Sequence, residues 1–379
     1  MSDLLTADEI AFQARMAAFV DERVAPHAAE ADQRGTLAQP SWQALAERGL
    51  LGVAIPQQYG GMGATIMCAA LALEEVSRVC PSTSLSLGAH SFLCAQNLYH
   101  NGSEELRQRY LPDLCSGRRA GAFALTEPGS GSDATSISTR ATRDGDHYIL
   151  HGSKTFITNG PFAEIFLVYA RTGDSGARAL SAFVVEKETP GFAVGRNLHK
   201  LGFRGSPTSE LMFDNCRVPV TNRVAEEGDG IRIMMTSLDL ERSLMSTIPL
   251  GMMRRALQLA RQCMLAYAGR GQSHPDGQEA EGRLAEMMVG LEALRGLAYR
   301  SIRALERGQP VTVAASCAKL YGGDMINRVT ASCVDMLAAE RGAARQEAER
   351  LMRDARLISI GAGTSEIQKM ILARECLKN

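Results

Sequence analysis

Apolar positions in the first third of the chain recur at helical spacing. Phe12, Met16, Phe19 and Val20 fall on one helical face. Thr6, with Glu9 three residues later, opens that helix as a capping box. The Pro/Gly-rich stretch Pro56–Gly63 breaks the helices. Leu71–Val76 resumes the period, on a helix whose outer face is expected to carry Glu74 and Glu75. Near residue 116 the texture changes to short β-rich runs at 148–150, 165–169, 182–185 and 211–213, parted by turn residues. From Gly230 the helical period returns. Leu284, Met287, Met288, Leu291 and Leu294 form one stripe that reads as core. Glu340–Arg356 mixes charges of both signs and reads as a solvated helix.

The order helical, β, helical predicts an α+β multidomain chain: residues 1–115 a helical domain, 116–225 a β domain, and 226–379 a helical bundle. It argues against a doubly wound α/β fold. No Gly-x-Gly-x-x-Gly follows a predicted strand, and no Walker-type phosphate loop occurs.

Composition narrows the function. Lys and Arg total 41 against 42 Asp and Glu, a net charge of −1 that argues against nucleic-acid binding. No apolar run approaches the ~20 residues that span a bilayer. Met1–Leu5 lacks the basic start of a secretory signal. The nine cysteines are odd in number and contain no Cys-x-x-Cys, so neither a zinc framework nor a disulfide scaffold is expected. Reduced, mostly buried thiols and a cytoplasmic location are the expectation.

The candidate chemistry lies in ordered motifs. Ala124–Asp133 is a polar, glycine-rich loop whose hydroxyls and backbone N–H groups suit a phosphate or a polar ring edge, although most Ser/Gly loops are simple turns. Four further segments follow: Lys154–Gly160, Lys200–Ser206, Leu238–Arg242, and Arg353–Ala355 with Ile360–Gln368. In this order and spacing, with Tyr59–Gly63 before them, the motifs closely resemble the acyl-CoA dehydrogenase family over nearly the whole chain, most of all its isovaleryl-CoA dehydrogenase branch.

The resemblance implies an N-terminal helical domain, a middle β-barrel or sandwich domain and a C-terminal four-helix bundle, with FAD between the last two. It implies α,β-dehydrogenation of a short or branched acyl-CoA thioester. A base takes the pro-R α-proton, the β-hydride passes to flavin N5, and an electron-transfer flavoprotein or other acceptor reoxidises the flavin. Most of the family carries the base in the C-terminal motif, where this chain has Ala362. The isovaleryl-type branch carries it on the helix after the β domain, which here gives Glu241. Without that context Glu241 reads as a surface glutamate paired with Arg242 or a helix neighbour.

The resemblance also gives Ala362 a backbone N–H that polarises the thioester carbonyl, with Gly361 and Gly363 allowing close approach. Arg242 matches an arginine near the base, and Asp239 an acidic residue near the pantetheine. Phe123, Thr126, Phe156 and Thr158 match flavin contacts. Ser132 matches a serine near pyrophosphate and acyl-CoA, and Thr364 and Glu366 match C-terminal flavin contacts. On sequence alone Phe156 reads nearly as well as an ordinary strand core residue. No metal is expected.

Two elements depart from the family pattern, both where a neighbouring subunit would meet the adenosine half of FAD. Arg270 and Gln278 survive, but Ser273 replaces a Phe and the loop is shortened. Asp335–Arg341 replaces a glycine-rich stretch, leaving Arg341 or Arg345 to supply compensating charge. These losses point to altered adenosine contacts or to a homodimer in place of a homotetramer. They also open an alternative: a dehydrogenase or oxidase of an acyl group tethered to a carrier protein, since a pantetheine arm is common to CoA and carrier. A third possibility is a flavin-poor relative with a binding role.

Overall fold

The computed structural model describes residues 4–174, 176 and 178–378. The N-terminal helices are α1 (Ala7–Arg23), α2 (Ala28–Arg34), α3 (Gln39–Glu47), α4 (Ile66–Val79), α5 (Pro81–Gly88), α6 (Gln96–Asn101) and α7 (Glu104–Ser116). A π-helical stretch, Ala89–Ala95, joins α5 to α6. The Thr6–Glu9 capping box forms in both directions. Phe12, Met16 and Val20 are buried, as their spacing requires.

The middle of the chain is a sheet of β1 (Gly121–Ala124), β2 (Arg140–Asp144), β3 (His147–Thr158), β4 (Ile165–Arg171), β5 (Leu180–Glu186), β6 (Phe192–Asn197), β7 (Thr208–Pro219) and β8 (Arg223–Val224). Its order is β6-β7-β3-β2-β4-β5-β8, with β1 paired parallel to β4. Both faces are covered around β4, whose residues Ile165–Ala170 are all buried.

Six helices follow: α8 (Gly230–Met245), α9 (Thr247–Gly269), α10 (Gln278–Glu306), α11 (Thr312–Met336), α12 (Ala343–Ile358) and α13 (Ser365–Cys376). α9, α10, α11 and α12 pack in a ring as a four-helix bundle. One apolar core runs through this bundle and into α1 and α4.

Three expectations fail in the helices. Glu74 and Glu75 do not face water: both are fully buried and receive Arg254 of α9 at 2.7 and 2.5 Å. The Tyr299 hydroxyl also donates to Glu74, at 2.7 Å. α4 is therefore buried all round, and its carboxylates persist inside because each is paired. Met288 leaves the stripe and stands 57 % exposed, because the helical period turns it away from Met287 and Leu291. The segment 340–356 is solvated on one side only. α12 begins at Ala343 and buries Ala348, Arg350, Leu351, Asp354 and Ala355.

Every cysteine is free; Cys80, Cys94, Cys115, Cys216, Cys263 and Cys333 are buried, and Cys376 is exposed. No helix among the described residues is long and apolar enough to cross a membrane. No metal-ligand cluster occurs among them.

Candidate active site

Glu241 and Arg242 lie on α8. That helix starts hard against the sheet: a Cβ on Gly230 would collide with the Leu180 backbone. Farther along, Asn97 donates to the Ser237 hydroxyl at 2.6 Å and to Tyr169 at 3.2 Å, tying α6, α8 and β4 together.

Glu241 is buried. Its carboxylate has no hydrogen-bond or ion-pair partner among the described residues. Burial pushes its proton affinity up to about 7, against the pull of Arg242 and Lys319. The surface pair with Arg242 does not form. Arg242 instead donates to Asp239 at 3.1 Å, and Asp239 accepts from Thr312 at 2.9 Å. The Arg242 Nε is buried and has no partner.

The C-terminal motif is a loop between α12 and α13. Ala362 has φ 56° and Gly363 φ 85°, both left-handed. The alanine there is strained by about 1–2 kcal/mol. A Cβ on Gly363 would sit 4.0 Å from an Arg242 Nη and 2.8 Å from Gln368 Nε2. α8 and this loop therefore meet through Arg242. Thr364 caps α13, its hydroxyl accepting from Ile367 N–H at 3.3 Å. Glu366 is exposed in the first turn of that helix.

The remaining residues gather at the sheet. Phe123 on β1 is half-buried, its ring edge-on to Tyr169 at 5.2 Å. Thr126 follows β1, and its carbonyl accepts from Thr155 N–H at 2.9 Å. Thr158 ends β3 opposite Thr208. Ser132 is exposed on the glycine-rich loop. Phe156 is not a core residue: it is 68 % exposed, with φ 58°, at a register shift between Lys154 and Ile157. A bulky residue in that conformation is a genuine outlier, and the bulge aims its ring outward.

Beneath this surface is a pair whose role the sequence does not reveal. Lys154 Nζ meets Glu127 at 2.8 Å, both buried, and also donates to Leu125 O at 3.0 Å. Glu127 further accepts from Ser138 and Thr139 N–H at 2.6 and 2.9 Å. Burial pushes Glu127 up, but Lys154 and these donors overcome it and hold it down to about 2. The pair fixes the root of the Thr126–Ser132 loop. Lys319 on α11 is a second unexpected buried cation. The legible signal was a lysine among small residues on an apolar helix, Ala315–Gly323.

Arg270 and Gln278 stand apart from this grouping. They are exposed near the loop joining α9 and α10, one end of α9 removed from α8, ~33 Å along that helix. Arg270 stacks on Tyr267 at 4.6 Å and approaches Glu340 at 3.9 Å. Arg345 is engaged by Glu349 at 2.7 Å and by the carbonyl of Leu337 at 3.0 Å. Asp335 faces Arg283 at 3.8 Å.

An exposed aromatic face, hydroxyls at Thr126 and Thr158, and an unpaired buried guanidinium nitrogen suit a planar polar ring system with an anionic tail. The chain matches the acyl-CoA dehydrogenase N-terminal, middle and C-terminal domain models over residues 6–118, 122–216 and 228–377. It belongs to the acyl-CoA dehydrogenase family, FAD-dependent oxidoreductases acting on CH–CH groups. A mitochondrial isovaleryl-CoA dehydrogenase of Oryza sativa subsp. japonica is 38 % identical over 95 % of this chain and 89 % of its own. The prolyl acyl carrier protein oxidase AnaB is 31 % identical, TM-score 0.92, over 99 % of this chain and all of its own. The FAD complex of PigA is 29 % identical, TM-score 0.93, over 99 % of each chain.

Proposed function

We propose that the protein dehydrogenates a short or branched acyl-CoA thioester between Cα and Cβ, with Glu241 as the base. The carrying observation is a carboxylate buried without a donor and balanced near neutral pH, on a helix that touches the loop of Ala362 and Gly363. A carboxylate stripped of water and of hydrogen bonds is a stronger base toward a weakly acidic α-proton. FAD, when bound, supplies the hydride acceptor. Phe156, Thr126, Thr158, Phe123, Thr364 and Glu366 would hold its ring end, and Ser132 would face its pyrophosphate. The Ala362 N–H donates to the thioester carbonyl as charge builds on it. Arg242 orients Asp239 toward the pantetheine arm. Arg270 and Gln278 would serve the adenosine half across a homodimer or homotetramer. We further propose three units at 1–115, 116–225 and 226–379, a cytoplasmic location, and an electron-transfer flavoprotein or other acceptor as oxidant.

The likeness to a carrier-protein oxidase supports a second reading, the same chemistry on a carrier-tethered acyl group. An anaerobic flavin spectrum before and after isovaleryl-CoA separates the two. Prompt bleaching supports the CoA substrate. No change with isovaleryl-CoA, but bleaching by an acylated carrier, supports the second. In either case Glu241→Gln should keep flavin and abolish α-proton exchange, and exchange at the wild-type rate would remove Glu241 from its role.

A further inference from the structure

Lys319 is 4 % exposed, and its ammonium donates to the Ile358 carbonyl at 2.8 Å. Ile358 is the last residue of α12. A cation there meets the unpaired carbonyls and negative end of a helix. The next two turns of α11 continue the grip. The Gly323 carbonyl accepts from Ser359 Oγ at 3.0 Å, and Asn327 Nδ2 donates to the same Oγ at 3.1 Å. The two segments run close here, since a Cβ on Gly323 would already touch Ser359 Cα and Oγ at 3.4 Å. Lys319, Gly323 and Asn327 thus hold, at successive turns, the point where the chain leaves α12. From the other side Gln368 donates to the Gly363 carbonyl at 3.2 Å. The loop bearing Ala362 is fixed at both ends.

α11 also packs on α8, and Lys319 and Glu241 are both buried there without a hydrogen bond or ion pair between them, so the same ammonium acts on Glu241 only as a nearby charge. The charged groups that do so are Arg242 from α8 itself and Lys319 from α11. None from α4, α5, α6, the Ala89–Ala95 stretch, β5, α9 or α10, which also pack on α8, contributes among the described residues, the buried Glu74 and Glu75 of α4 being paired with Arg254. Arg242 is committed to Asp239. Lys319 in turn faces Arg242, Asp324 and Glu366 besides Glu241.

We propose that Lys319 is a positioning residue for the base: from one buried place on α11, the helix packed on α8, it anchors the loop of Ala362 and adds positive charge that favours the ionised form of Glu241. The proposal rests on the reading of Glu241 as base. Burial drives Glu241 up to about 7 and Lys319 down to about 8, and each charge opposes the other's shift. Near neutral pH Lys319 is mostly charged, Glu241 is divided between its two forms, and the two titrations are mutually dependent.

The test separates charge from anchoring. Lys319→Gln keeps a donor for Ile358 but removes the charge; Lys319→Arg keeps the charge. The Glu241 carboxyl is followed by infrared difference spectroscopy against pH, with Glu241→Gln identifying its band. In Lys319→Gln the midpoint should rise by about one pH unit or more, as expected when a charge acting through an effective dielectric of ~20 is lost. The acid limb of α-proton exchange should rise with it, and Lys319→Arg should restore both. An unmoved midpoint in folded Lys319→Gln overturns the proposal. Should that variant not fold, the coupling is read from the other partner. The chain has only six lysines, so the 13C-labelled Lys319 Cε resonance can be titrated in wild type and Glu241→Gln. Its midpoint should fall in the variant, and no change overturns the proposal. Exchange that survives Glu241→Gln, with the infrared shift present, sinks the base reading and leaves the coupling standing.

Discussion

Glu241 should reduce the stability of the fold at neutral pH, and replacing it should reveal by how much. Its ordinary value is 4.5, and burial raises it to about 7 in the folded chain. Between these values the folded state binds more protons than the unfolded one, so stability falls as pH rises. The loss is small at pH 5, grows through pH 7 and is constant above it. Integrated, the penalty is ~0.8 kcal/mol at pH 5 and ~3.3 kcal/mol at pH 8. Glu241→Gln has no such titration, so its advantage over wild type should widen by about 2.5 kcal/mol across that range. For a chain of 379 residues the unfolding entropy near Tm is ~0.8 kcal/mol per degree, so the widening is about 3 °C. The assay is the difference in melting temperature between the two proteins at pH 5, 6, 7 and 8, at fixed flavin and protein concentration. A difference independent of pH, or one that narrows as pH rises, would refute the desolvation argument. Lost activity with gained stability would mark Glu241 as a site where function is held against the fold.

Two other outcomes follow from packing. Lys154→Met leaves Glu127 buried without its cation and should cost about 3–5 kcal/mol, measured by urea unfolding. The residual hydrogen bonds of Ser138 and Thr139 keep the carboxylate from losing every partner. Gly251→Ala drives a Cβ into the Glu74 carbonyl and Ser77 Oγ, at the closest approach of α9 and α4. It should lower Tm by several degrees or abolish soluble folded protein, whereas Gly282→Ala, which meets open space, should be neutral or slightly stabilising.

Local signals in the sequence were legible where the neighbour in space was also a neighbour in the chain. The Thr6 cap bonds three residues away, and the runs at 148–150, 165–169, 182–185 and 211–213 all fall in strands. Glu241 could be picked out only through its resemblance to a motif, because nothing local says that α8 buries it. The errors share one cause. Glu74 and Glu75 read as solvent-facing because their partner, Arg254, is 180 and 179 residues away. Arg350 and Asp354 looked solvated because charge mixing is visible in sequence but burial against α4 and the Phe203 turn is not. Lys319 stood out only as a lysine among small residues; what it holds was unreadable because its acceptor is a backbone carbonyl, which no side-chain pattern records. The alternative of Phe156 as a core residue, set beside its expected flavin contact, fails for the same reason: the bulge that turns it outward is set by pairing with β7.

The carboxylates of α4 carry a consequence for biosynthesis. Glu74 emerges from the ribosome 180 residues before Arg254. At 5–20 residues per second the interval is about 10–40 s. Throughout it, a helix destined to be buried on every side has no bundle to enter. The N-terminal helices therefore cannot complete their folding during their own synthesis. Nascent chains stalled before residue 254 should present this apolar, acidic helix to chaperones and proteases, and those extended past α10 should not.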